Sequence, residues 1–201
     1  MTEETPDLYL GQIPTLFKQL KIPKCFVTDI IGCVTYYYEF MNGRSVVYNP
    51  SNRKQAMTMR LLLAYTLTAP NADVGNILDI LDIDKLIRNV DRLLKYRDNY
   101  AHILATWRLC VEATVPGRKY SDSDLVNFKL DLPLLKKIKT HLELDSTDAR
   151  KGMSDGLLID MLSCCAVNER DEPVNYDFDS EVTHITIKVF ADILGHLGEL
   201  E

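Results

Sequence analysis

The stretch that decides the fold is DKLIRNVDRLLKYRDNYAHILATWRLCVEAT, residues 84–114. In it Leu86, Val90, Leu93, Tyr100, Leu104, Trp107 and Val111 recur at steps of four and three residues, with one longer step across residue 97. That spacing winds a single apolar stripe along an α-helix and predicts the central core helix of the protein. Arg97 stands where the stripe expects an apolar side chain. Either a carboxylate pairs with it or the helix is interrupted there. A seam of this kind also builds coiled-coil oligomers, an alternative that simple core packing outweighs.

The same period extends to both sides. A short helix is predicted over Ile13–Leu20, with Pro14 tolerated in its first turn and Lys21-Ile22-Pro23 as its end. Over residues 25–48 two patterns compete. Phe26, Ile30, Val34, Tyr37 and Met41 fall at helical spacing, while Val34, Tyr36, Tyr38 and Phe40 alternate ahead of Asn42-Gly43, a hairpin signal. The helix is preferred because its stripe reaches back beyond the tyrosines; a small β-hairpin over 34–48 is the alternative. Arg53–Thr68 reads as a helix with Met57, Leu61, Leu62 and Tyr65 inward, followed by a brief helix near 72–81.

Towards the C-terminus, Pro116-Gly117 is the clearest boundary and Ser121 an N-cap, with Asp122 and Asp124 in the first turn. Pro133 starts a helix running to about Leu144. A further helix near 154–166 packs Cys164 and Cys165, and 168–179 is an acidic, turn-rich loop. A closing helix capped by Asp179 or Ser180 turns Val182, Ile185, Val189, Ile193 and Leu197 to one face. No internal repeat is visible. The prediction is a mainly α protein, a compact bundle of about seven or eight helices forming a single domain over 1–201. The alternative subdivides it into a basic-centred part, 1–115, and an acidic part, 118–201.

The composition, 46% hydrophobic and 26% charged, supports a sizeable core and argues against disorder. No apolar run approaches the ~20 residues of a membrane span, and the acidic start lacks the features of a secretory signal. Five cysteines with no framework spacing suit a reducing compartment, so the cytoplasm is expected, with the nucleus as the alternative. The net charge of −6 is uneven: residues 42–120 carry twelve Lys/Arg against seven Asp/Glu, and 121–201 carry eight against seventeen. Either these regions neutralise each other or they serve different partners.

Catalytic signatures are absent: no HExxH, GxSxG, Walker loop or GxGxxG occurs. The four histidines lack metal-ligand spacing with one another or with cysteine. No catalytic, cofactor-binding or metal residue is therefore assigned, and no cofactor is expected. The reading is a non-catalytic interaction or self-assembly subunit, either an adaptor or a particle-forming structural protein, whose partner is another protein or itself. The first alternative is nucleic-acid binding, nucleocapsid-like, by a basic face of Arg44, Arg53, Lys54, Arg60, Lys85, Arg88, Arg92, Lys95, Arg118 and Lys119 interleaved with tyrosines. Against it stand Asp84, Asp91 and Asp98 on the same helix as the central cations, and the net charge. An enzyme with a dispersed site is the third.

Overall fold

The computed structural model of the chain describes residues 8–42, 49, 51–67, 79–141, 155–156 and 184–200. The chain divides into two compact units, Met1–Arg97 and Asp98–Glu201, and each is described by itself. The expected boundary at Pro116-Gly117 falls inside the second unit, just beyond a helix end.

In the N-terminal unit, a 3₁₀ turn over Leu10–Gln12 leads into α1 (Ile13–Gln19), with Pro14 at its start as the sequence requires. Lys21 ends α1 in the left-handed region, φ 56°. The Ile22 N–H donates to the Phe17 carbonyl (3.0 Å) and the Lys21 N–H to that of Lys18 (3.1 Å), a Schellman closure. Helix α2 (Thr28–Tyr36) passes directly into a π-helical turn, Tyr37–Met41. Residues 34–41 are thus helical, and 43–48, the other half of the hairpin alternative, lie outside the described residues. Asn52 caps α3 (Arg53–Leu63). This helix stops short of the expected Thr68 because Tyr65–Leu67 turn away to pair with another segment. Met59, Leu62 and Tyr65 are the buried apolar residues here; Met57 and Leu61 are only half-buried.

Helix α4 (Ile83–Asp98) and α5 (Tyr100–Glu112) replace the single long helix predicted over 84–114. The break comes at Asn99, and Arg97 does not meet the core as a bare charge: its guanidinium donates to the Leu20 carbonyl at 2.9 Å. Of the predicted stripe, Leu86, Leu93, Trp107 and Val111 are buried, while Tyr96 and Ile103 take core positions the pattern had not named. In the N-terminal unit, edge-to-face pairs Phe17–Tyr65 and Phe26–Tyr96 lock the core (6.4 and 5.4 Å between centroids).

The C-terminal unit holds α5, α6 (Asp122–Val126), α7 (Leu132–His141) and α8 (Ile187–His196). Ser121 caps α6 as expected, in a reciprocal box with Asp124 whose hydrogen bonds hold that carboxyl below the usual carboxylate range. The closing helix starts later than predicted, with Thr186 as its cap and His184–Ile185 as strand. It is also rotated: Ile187, Ala191 and Leu194 are buried, Val189 and Ile193 half-buried, and Leu197 exposed. Trp107, fully buried, packs on Phe190 (5.2 Å) and donates its indole N–H to the Leu125 carbonyl (2.8 Å). Of the helix expected near 154–166 only Asp155 and Gly156 are described, both helical; Cys164, Cys165 and the acidic loop lie outside the described residues.

Three α-helices begin alike. The short antiparallel pairing of Leu130–Asp131 (β1) with His184–Ile185 (β2), and the bridges Tyr9–Ile80 and Thr66–Leu81, each hand the chain straight to a capped helix. Asp82 accepts from the Lys85 N–H, Asp131 from that of Leu134 and Thr186 from that of Val189. Leu81-Asp82-Ile83, Leu130-Asp131-Leu132 and Ile185-Thr186-Ile187 are therefore one device: aliphatic residue, capping oxygen, aliphatic residue. The architecture is mainly α, with eight α-helices among the described residues and one two-stranded antiparallel sheet.

Candidate functional site

The described basic residues named from the sequence are divided between the two units. Arg44 lies outside the described residues, and Arg118 and Lys119 belong to the C-terminal unit, where Arg118 sits over the Tyr120 ring (4.8 Å). Arg53 opens α3 and Arg60 is exposed in its last turn. On α4, Lys85 is spent structurally: its ammonium donates to the Leu63 and Thr66 carbonyls (3.1 and 2.8 Å), anchoring α4 to the end of α3. Arg88 folds back on the Asp84 carbonyl (3.3 Å), Arg92 reaches Asn89 (3.4 Å), and Lys95 is exposed. In the N-terminal unit, Lys54 joins an aromatic ledge. Its ammonium lies 4.3 Å over the Tyr36 ring, which stacks on Phe40 (5.1 Å).

A second row on α4 was missed. Ile83 and Ile87 are 47% and 59% exposed, and Val90 and Leu94 are half-buried. The four follow steps of four, three and four residues, so they share one helix face, about 100° around from buried Leu86, Leu93 and Tyr96. Helix α4 is therefore apolar over more of its circumference than one core contact covers. The available signal was that excess: the stripe running through Leu86, Val90 and Leu93 left Ile83, Ile87 and Leu94 unused. Asp84 and Asp91, both exposed, run beside this row, and Asp98 continues them at the same seven-residue spacing.

Elsewhere in the N-terminal unit, a hydroxyl fastens the chain. The Tyr38 OH donates to the Asp79 carboxylate and accepts from the Gly11 N–H (3.1 Å). Burial, then the Asp79 carboxylate, push this phenol well above its ordinary range. In the C-terminal unit, Ala113, Thr114, Pro116, Lys136, Lys137, Thr140 and His141 line an open groove of about 420 Å³. Its cations are partly committed, since Lys136 pairs with Asp155 (2.8 Å). Cys110 is pushed up by burial, away from the thiolate that reactive cysteines need.

Among the described residues no group of three or more His, Cys, Asp or Glu is arranged to hold a metal ion. Nor is any helix there long and apolar enough to cross a membrane. The class these features define is a mainly α protein that carries, among the described residues, an apolar, acid-edged helix face. Residues 1–147 match the Rad33 family model, and the chain belongs to the Rad33 family. That family is related to DNA repair. No curated protein and no solved structure matches the chain.

Proposed function

We propose that this protein is a non-catalytic binding partner in a DNA-repair-related assembly, holding another protein on the outer face of α4. The observation that carries this is the exposed row of Ile83 and Ile87, continued by half-buried Val90 and Leu94. Fully burying an exposed aliphatic side chain contributes roughly 1.5–3 kcal/mol, which makes Ile83 and Ile87 the main contacts of the row, with half-buried Val90 and Leu94 adding less. The DNA-repair relation of the family supports the nuclear alternative over the cytoplasm. It lends no support to a viral particle or to RNA binding. The test is survival after DNA damage of cells carrying Ile83→Asp with Ile87→Asp, compared with cells lacking the protein. The reading expects equal sensitivity at unchanged protein level; wild-type survival would overturn it. Self-assembly by opposite charges is checked beside it, since an oligomer mass unchanged from low to high salt removes that idea.

The ledge of Lys54, Tyr36 and Phe40 favours a second reading, contact with unpaired nucleic acid by stacking and backbone neutralisation. It expects single-stranded oligonucleotide binding that falls steeply with salt and weakens in Phe40→Ala and in Arg88→Glu with Arg92→Glu. Unchanged binding in both variants counts against it.

A further inference from the structure

We propose that the α4 face receives an amphipathic helix whose apolar residues are flanked by lysine or arginine; this rests on the reading of that face as a partner surface. The spacing of Ile83, Ile87, Val90 and Leu94 is that of positions d, a, d and a of a heptad. In that register Asp84 and Asp91 both fall at e, the exposed flank beside each d residue, and Asp98 takes the next e. The other flank, position g, is Leu86 and Leu93, which are buried in the core of the N-terminal unit. A helix lying on the row thus meets charge from one edge, and that edge is uniformly acidic. Arg88 and Lys95 stand at b and Arg92 at f, a row further from the contact. Arg88 and Arg92 are also turned back towards Asp84 and Asn89.

Charge at e and g selects coiled-coil partners more than it stabilises them. Glutamate opposite Asp84 and Asp91 is repelled, whereas lysine or arginine there is attracted. The same edge disfavours a second copy of this chain. Two α4 helices crossing antiparallel bring e against e, aspartate against aspartate, and a parallel pair needs the g flank that the core already covers. The row is about 16 Å long from Ile83 to Leu94, three turns of a partner helix.

The test titrates the full-length protein into two labelled synthetic peptides of about three heptads, with leucine at a and d and either lysine or glutamate at e and g. The lysine peptide is expected to bind about tenfold tighter at low salt, with the advantage shrinking as salt rises. Asp84→Lys with Asp91→Lys is expected to reverse the preference, and Ile87→Asp to abolish binding of both peptides. All three side chains are exposed, and circular dichroism checks that the helices persist. Should the double variant unfold, Asp91→Asn alone is expected to lose part of the preference. Charge-blind binding that Ile87→Asp still abolishes overturns the partner chemistry and leaves the face in place. Binding indifferent to Ile87→Asp overturns both, and binding of neither peptide overturns the proposal. A wild-type dimer that Ile87→Asp dissociates makes a second copy the occupant and overturns it equally.

Discussion

Helices α4 and α8 are both more apolar than one core contact requires, yet they spend the surplus differently. On α4 the buried residues, Leu86, Leu93 and Tyr96, and the outward row from Ile83 to Leu94 are separate stripes, and aspartates at heptad spacing border the outer one. On α8 the apolar surface runs from buried Ile187, Ala191 and Leu194 through half-buried Val189, Phe190 and Ile193, and only Leu197 stands fully out, at 69%. The first arrangement has an edge and a register, which recognition needs; the second is the margin of a core. An exposed aliphatic side chain is ordinary on any protein surface. What makes the α4 row informative is the charge pattern beside it.

The comparison breaks first if the inner stripes are not cores. Trp107→Ala is expected to cost about 3–5 kcal/mol, since it opens a cavity beside Phe190 and leaves the Leu125 carbonyl without its donor. Leu93→Ala on α4 is expected to cost about 2–5 kcal/mol. Urea denaturation followed by circular dichroism measures both. A loss below about 1 kcal/mol for either would mean that the core against which α8 or α4 packs is not closed there, contrary to the burial of Trp107 and Leu93.

The helix ends sharpen the contrast between the units. Helix α8 closes as α1 does: the Glu199 N–H donates to the Leu194 carbonyl (3.0 Å) and the Gly198 N–H to that of Gly195 (3.2 Å). The left-handed position is Gly198, φ 76°, in one case and Lys21, φ 56°, in the other. Glycine takes that conformation without the steric penalty a side chain carries. Gly198→Ala is therefore expected to lose about 1 kcal/mol, although a methyl there meets open space, and Lys21→Gly to gain about 0.5–1 kcal/mol. The same denaturation series reads both, and equal signs would contradict the geometry.

How much of this the sequence disclosed depended on the range of the interaction. The helical class, the starts of α1 and α6 and the helix through Tyr36 rest on neighbours three or four residues apart, and periodicity reads those. The break at Asn99 was half visible in Arg97, but its resolution, a bond to the Leu20 carbonyl, comes from a distant part of the chain. The same holds for the three aliphatic–cap–aliphatic helix starts. Three residues are too short a signal to notice until the bridges that precede them are known. The rotation of α8 escaped because the predicted stripe was drawn through Ile185, which pairs in β2 ahead of the helix, and the true start at Ile187 sets a different inward face. The candidate face on α4 escaped because one stripe accounts for the helical period by itself, and Val90 belongs to both rows.

Alkaline pH tests the fastening around Tyr38. Its folded-state pKa is raised, so its contribution is fully present below the unfolded value near pH 10 and is lost as pH rises above it. Stability of the wild type is expected to fall from pH 10 to pH 11 more steeply than that of Tyr38→Phe, which has no phenolic proton to lose. Parallel pH profiles would mean that the hydroxyl bond to Asp79 does not persist in solution.

The smallest expected effect on stability discriminates most sharply between the two surpluses. Ile87→Gln and Leu197→Gln each replace an exposed aliphatic side chain by a polar one of similar length, and each is expected to change unfolding free energy by no more than about 0.5 kcal/mol. Their consequences for binding should part. Glutamine at residue 87 interrupts the middle of a four-residue row and should weaken partner binding about tenfold or more, the equivalent of losing one well-buried aliphatic contact. Glutamine at residue 197 touches the margin of a core and should leave that binding unchanged. If both variants bind as the wild type does, the apolar row on α4 has no recognition role and the two helices differ only in how completely their cores cover them. If Leu197→Gln weakens binding as much as Ile87→Gln, the contacting surface includes the C-terminal unit, and a register of aspartates is not what distinguishes a partner face in this protein.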